Sequence, residues 1–208
     1  DYFAVMSLTD EDKKKTESYA NETKRIELKS EGLSLEDYLW KLEIVVDIKI
    51  ATDADAERIA QLTQKTNQFN LTTRRYTVEE IHNMLTDPSC LIFAGRSMDK
   101  FGNNGLVWVA IVRIEAEFAF FDTVLMSCRV MGRMVENAAV ACIENALFDM
   151  GVRLIEGEYL PTAKNTPVKD FFEKLGYERI EVVGDGSRYR KRLLGRIALP
   201  ECIRVQSQ

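Results

Sequence analysis

Ser127-Cys128-Arg129-Val130-Met131-Gly132-Arg133 stands between an aromatic, strand-like run (Phe118 to Leu125) and a helix-like run rich in small residues. A strand that passes through a glycine turn into a helix leaves unpaired backbone N–H groups and the positive end of the helix dipole beside the turn, so such a turn can receive an anion. A thiol in that setting is favoured as the thiolate, the form that acts as a nucleophile. The stretch therefore predicts one helix N-terminus carrying Cys128, Arg129 and Arg133.

Downstream, Val135, Ala139, Cys142, Ala146 and Met150 recur at helical spacing and Gly151 is a suitable stop. A strand follows at Arg153 to Leu160, then a helix opening at Thr166-Pro167 with Val168, Phe171, Phe172 and Leu175 turned inward. Tyr177 to Val183 and Arg188 to Leu194 read as a closing hairpin around Gly184-Asp185-Gly186.

Upstream, Ile44 to Ile50 alternates as a strand, and capped helices begin at Thr52-Asp53-Ala54-Asp55 and at Thr77-Val78-Glu79-Glu80, the second ending before Pro88. Leu91 to Ala94, Leu106 to Val112 and Phe118 to Leu125 read as antiparallel strands, with a turn at Gly102-Asn103-Asn104-Gly105. The order β-α-α-β-β-β-α-β-α-β-β predicts an α/β (α+β) fold, a mixed sheet flanked by helices, over residues 49–198. Residues 1–48 carry two capped helix starts, Thr9-Asp10-Glu11-Asp12 and Ser34-Leu35-Glu36-Asp37, and read as a helical linker; residues 199–208 read as a tail.

With 208 residues, 46% of them apolar, one main core is expected. The net charge of -5 argues against a general nucleic-acid binder. Four widely spaced cysteines beside a single histidine, His82, make zinc unexpected. No signal peptide or membrane-spanning run is read, which suggests a cytoplasmic protein. The opening Asp1-Tyr2-Phe3-Ala4-Val5-Met6 reads like the interior of a longer polypeptide.

Two segments resemble the GCN5-related N-acetyltransferase fold. Arg129-Val130-Met131-Gly132-Arg133-Met134 is similar to its Q/R-x-x-G-x-G/A turn, departing at Met134; Ala163 to Tyr177, ending Phe171-Phe172-Glu173-Lys174-Leu175-Gly176-Tyr177, is similar to its last helix. The resemblance implies a diphosphate held on the backbone near Arg129, Val130, Gly132 and Arg133, and a pantetheine arm entering where the sheet splays, close to Asn165. Phe172 stands where many such enzymes keep the tyrosine that protonates the leaving thiolate, and a phenyl ring has no proton to give.

A narrower resemblance runs through Thr66 to Tyr76, Ser127 to Arg133, and Gly157 to Thr162 with Asn165: the chain is similar to the C-terminal domain of the FkbH-like glyceryltransferase/phosphatase family. It implies transfer of a glyceryl or similar hydroxyacyl group to the phosphopantetheine thiol of an acyl carrier protein. The family's phosphatase domain, with its Asp-x-Asp motif and Mg²⁺, has no counterpart here, so neither phosphatase activity nor a metal is expected. Phosphopantetheine on a carrier, or coenzyme A, is the implied thiol.

Within this resemblance Cys128 is the candidate nucleophile and Glu158 the candidate base. Asn67, Gln68, Asn70, Thr72, Arg74, Arg75 and Thr162 are candidates for the acyl group, being rich in amides, hydroxyls and guanidiniums. The residues alone leave plainer readings open: Cys128 as a buried strand end, Thr66 to Tyr76 as a self-bonded turn, and Glu158 as the partner of an arginine. The basic set Arg188, Arg190, Lys191, Arg192 and Arg196 is either a surface for an acidic carrier or a solvated strand face. Two other functions stay open, an acetyl-coenzyme A-dependent N-acetyltransferase of a small amine and a non-catalytic carrier-docking module.

Overall fold

The run Leu106 to Val112 is apolar at every position, the pattern of a strand covered on both faces. In the computed structural model, which describes residues 10–206 and side chains from Tyr19 onward apart from that of Val183, this run is the middle of the central sheet, with Val107 to Val112 fully buried. Residues 1–9, including Thr9 and the opening read as internal to a longer chain, lie outside the described residues.

Eight strands form one mixed sheet: β1 (Ile44–Ile50), β2 (Cys90–Asp99), β3 (Gly102–Glu115), β4 (Phe118–Met126), β5 (Leu154–Tyr159), β6 (Glu178–Val183), β7 (Gly186–Arg192) and β8 (Ile203–Gln206), in the order β6-β7-β5-β4-β3-β2-β1-β8. Pairing is antiparallel except for β4 with β5 and β1 with β8. The segment read as a tail thus supplies an edge strand, β8, beside β1.

Among the described residues six helices flank the sheet: α1 (Asp10–Ser30), α2 (Leu35–Leu42), α3 (Ala56–Lys65), α4 (Val78–Thr86), α5 (Val135–Asp149) and α6 (Phe171–Lys174). One face is covered by α3 and α4 through Ile59, Leu62 and Ile81; the other by α2, α5 and α6 through Leu39, Leu42, Ala139, Ile143 and Phe171. Local chemistry starts α4 as expected: the Thr77 hydroxyl accepts from the Glu80 N–H at 3.2 Å and the Glu80 carboxylate accepts from the Thr77 N–H at 2.7 Å.

The buried line of α5 differs from the one expected. Val135 and Ala139 are buried, but the line continues through Ile143 and Leu147, leaving Cys142 half-buried and Met150 exposed. The helix is covered on more than one side, with Ala138, Val140 and Ala141 buried as well.

Residues read as a linker are docked. Tyr38, Leu39 and Leu42 of α2 enter the main core, and α1 is fastened by Arg25, which donates to both Asp99 oxygens at 2.8 and 2.9 Å.

Candidate functional site

One face of α3 and three loops enclose a cleft of about 910 Å³. Arg58, Gln61, Leu62 and Lys65, spaced i, i+3, i+4 and i+7, give α3 its cleft face. Thr66, Asn67 and Gln68 continue that wall, Ser127, Cys128 and Arg129 form the second, and Ala163, Lys164 and Pro167 the third. Of the residues expected at the site, the cleft gathers Asn67, Gln68, Cys128 and Arg129. Arg58, Lys65 and Lys164 were missed, since polar residues at helical spacing on α3 look the same on a solvated face.

Cys128 is exposed, a free thiol opening a one-turn 3-10 segment, Cys128–Val130. It is not at the helix N-terminus. The first helical residue of α5 is Val135, after a cap at Met134 in the left-handed region (φ 57°), so six residues separate the thiol from the helix. The thiol thus lies outside the first turn of α5.

The rest of the turn is also used differently. Val130 is buried and its N–H donates to the Ser127 carbonyl at 3.2 Å, so it presents no donor to a ligand. The Arg133 guanidinium faces away from the cleft, bonded to Glu22 at 3.1 Å and Asp99 at 3.5 Å, and ties the turn to α1. Gly132 is exposed with φ 72° and borders a separate groove. Arg129 stays at the cleft, held by the Ser127 hydroxyl at 3.3 Å and the Asn104 carbonyl at 3.2 Å.

The segment after Gln68 is structural. Where β4 and β5 cease pairing beyond Phe121 and Gly157, residues 69–71 fill the gap as a short extra strand. The Met126 N–H donates to the Phe69 carbonyl at 2.9 Å, the Leu71 N–H to the Val124 carbonyl at 3.0 Å, and the Leu160 N–H to the Leu71 carbonyl at 2.8 Å. Asn165, fully buried, locks this insertion: its amide nitrogen donates to the Asn70 and Leu160 carbonyls, both at 2.9 Å, while its oxygen accepts from the Thr162 N–H at 2.7 Å and the Tyr159 hydroxyl at 3.2 Å. No donor or acceptor of Asn165 is left for a cofactor arm.

Several residues expected to grip the acyl group are engaged within the protein as well. Asn70 is fully buried, donating to the Thr66 carbonyl and accepting from the Thr73 N–H; the Thr72 hydroxyl donates to the Asp122 carbonyl. The Thr162 hydroxyl accepts from the N–H groups of Lys164 and Asn165. Arg75 donates to the carbonyls of Thr63 and Thr66 and to the side chain of Asn67, fixing the cleft wall from behind.

Arg74 joins Asp122 at 2.8 Å to Glu158 at 3.2 Å, and Arg188 bonds the other oxygen of Glu158 at 2.8 Å. Glu158 is therefore a buried carboxylate clamped by two guanidiniums, with both oxygens in use, rather than a free base. Tyr76 donates to Asp122, and burial together with that bond pushes its phenol up to about 12. In the basic set, Arg188 pairs with Glu158 and Glu181, Arg190 with Glu156, Lys191 with Glu144, and Arg196 with Asp149. Most of that charge is spent within the molecule.

These contacts decide how a pantetheine arm fits. The gap between β4 and β5 where the fold resemblance puts the arm holds residues 69–71, and the outward N–H and C=O groups of β4 there are bonded to them. The groove beside Gly132, about 270 Å³, is bordered by Glu136, whose carboxyl is raised by burial and has one buried oxygen without a partner. In its ionised form that carboxyl repels a diphosphate at the first turn of α5. The cationic cleft at Cys128 fits an anionic ligand.

Phe172 lies in the core, its ring stacked on Tyr189 at 5.2 Å, and its Cε1 is 2.8 Å from where a Cβ on Gly157 would sit. A tyrosine hydroxyl at this position would run into β5. Among the described residues no cluster of three or more His, Cys, Asp or Glu side chains is placed to hold a metal, and no helix is long and apolar enough to cross a membrane. His82, exposed on α4 beside Asp53, is not among the residues that line the cleft.

No family model matches the chain, and no curated protein matches it. Solved structures do. The ribosomal-protein-S18-alanine N-acetyltransferase of Escherichia coli is 13% identical with a TM-score of 0.55, covering 75% of this chain and 97% of its own. The GNAT domain of S. lividans PAT is 17% identical (TM-score 0.55; 70% and 89% covered). The PaiA N-acetyltransferase of Thermoplasma acidophilum, solved in complex with coenzyme A, is 12% identical (TM-score 0.54; 71% and 99% covered). With this strand and helix order and these neighbours, the chain has the GCN5-related N-acetyltransferase fold.

Proposed function

We propose that this domain is an acyltransferase of the FkbH-like kind, in which Cys128 takes a glyceryl or similar hydroxyacyl group as a thioester and yields it to the phosphopantetheine thiol of an acyl carrier protein. The observation that carries the reading is an exposed thiol in a cleft of about 910 Å³ whose charged wall groups are all cationic. Cys128 Sγ adds to the acyl carbonyl carbon, and the bond to the donor's leaving group breaks with that group keeping the electron pair. The carrier arm, when bound, supplies the thiol that receives the acyl group, and Cys128 leaves as the thiolate. Asn67 and Gln68 offer amide groups to the hydroxyls of the acyl group, and Arg129 offers positive charge beside the oxygen on which negative charge develops.

The fold neighbours make an acetyl-coenzyme A-dependent N-acetyltransferase the second reading. Against it stands the phenyl ring of Phe172, which has no proton to give a leaving thiolate. A docking module without catalysis is separated by substitution. In an assay following the mass of a carrier protein given a glyceryl donor, Cys128→Ala abolishes acylation under this proposal; carrier acylated at the wild-type rate would refute it.

A further inference from the structure

Thr73 is a β-branched residue in the left-handed region (φ 53°), a conformation such residues rarely take. The turn is held by Asn70, whose side-chain oxygen accepts from the Thr73 N–H at 2.9 Å. It returns the chain to the end of α3. There the Tyr76 N–H donates to the Thr63 hydroxyl at 3.1 Å, and the Gln64 amide donates to the Tyr76 carbonyl at 3.2 Å, so the backbone beside Arg75 is fixed to the helix.

The Arg75 guanidinium donates to three neutral oxygens. Two are the carbonyls of Thr63 and Thr66 at the C-terminal end of α3, where the last carbonyls lack helical partners and the helix dipole favours a cation. The third is the side-chain oxygen of Asn67. A guanidinium only donates, so it holds the Asn67 carboxamide in one sense, oxygen toward Arg75 and NH₂ away from it. The reversed amide would set NH₂ against N–H. Asn67 is half-buried in the cleft wall, whereas the neighbouring Gln68 is exposed. Of the two amides expected to meet the acyl group, Asn67 is the one held as a donor.

We propose that Arg75 is a positioning residue that locks Asn67 as a hydrogen-bond donor to a hydroxyl oxygen of the acyl group, so that the pair selects a hydroxyacyl group over a plain acyl group. This rests on the function proposed above, in which the acyl group is held in the cleft that Asn67 and Cys128 both line. A donor already fixed in place gives up little freedom on binding, and an analogue without the hydroxyl leaves that donor unpaired. Arg75 is not among the residues that line the cleft and acts through Asn67.

The test follows Cys128 acylation on the full chain by intact mass, with glyceryl and propionyl thioesters of the same thiol. Asn67→Ala and Arg75→Gln each lower the ratio of glyceryl to propionyl rates about tenfold relative to the wild-type chain, a comparison in which the intrinsic reactivities of the two thioesters cancel. The double variant lowers the ratio no further than either single one, because the two residues act as a unit. A merely structural role, loosening the end of α3, slows both thioesters alike and leaves the ratio where it was. If Arg75→Gln does not fold, Arg75→Lys, which keeps a cation at the helix end without the planar fork, takes its place and lowers the ratio. An unchanged ratio in Asn67→Ala or in the folded Arg75 variant, or effects that add in the double variant, overturns the proposal, while adducts on the wild-type chain leave the covalent function standing. No adduct from either thioester on the wild-type chain sinks both.

Discussion

Asn165 shows how a residue expected to hold a ligand can instead hold the protein. Its carboxamide makes four bonds in a fully buried position, to Tyr159, Leu160, Thr162 and Asn70. The sequence motif around it was legible, but its role was not, because the amide that pairs with a cofactor's amide pairs equally well with a backbone. Asn70 and Thr72, also buried, are likewise bonded to the backbone. Asn165→Ala leaves several buried groups unpaired, and a loss of about 2–4 kcal/mol is expected in urea unfolding; a change under about 0.5 kcal/mol would contradict the junction described. Cys128 lies at the opposite extreme. Its exposure could not be read from a strand-end position, since free cysteine is so often buried.

At the scale of elements, the segment 69–71 is the chief departure from expectation. Its apolar residues Phe69 and Leu71 alternate with Asn70, so it had the periodicity of a strand, but three residues between two helices are too few to read as one. Phe69 packs edge-on to Phe171 at 5.2 Å and Trp108 at 5.7 Å, which anchors the insertion in the core. Hydrogen exchange should therefore find the amides of Leu71, Met126 and Leu160 protected in the free protein and equally protected with excess coenzyme A. Protection that changes at these three amides on adding coenzyme A would mean that the gap opens to admit it.

The helix and strand order was legible because each long element carried its own period and caps, as Thr77 and Glu80 do for α4. What escaped was tertiary. The start of α5 was placed too early because Gly132 reads as the turn, whereas Met134 takes the left-handed cap and Arg133 is drawn to Asp99. The face of α3 toward the cleft was equally invisible as a site, since Arg58, Gln61 and Lys65 read as an ordinary solvated side of an amphipathic helix.

Over the whole molecule, several arginines are paired with carboxylates, Arg58 and Arg129 of the cleft bond only neutral groups, and three phenols are buried against carboxylates. Burial and the bonds to Asp122 and Glu173 push Tyr76 and Tyr189 up to about 12, and burial beside Glu144 pushes Tyr177 well above the ordinary tyrosine value. The folded state thus favours the protonated phenols more than the unfolded chain does. Their contribution to stability is whole below about pH 10 and is lost as pH rises through about 12. Urea unfolding at about pH 9 and about pH 11 should show lower stability at the higher value, and Tyr76→Phe should make that fall shallower.

The same whole-molecule view isolates the cleft as the place where an exposed thiol meets uncompensated positive charge. Intact-mass analysis of the full chain after incubation with a glyceryl thioester or glyceryl phosphate donor, followed by peptide mapping, tests this account most directly. The account predicts a single glyceryl adduct on Cys128 that is discharged by a phosphopantetheinylated carrier and is absent from Cys128→Ser. No adduct on the wild-type chain, or the same adduct on the serine variant, would contradict it.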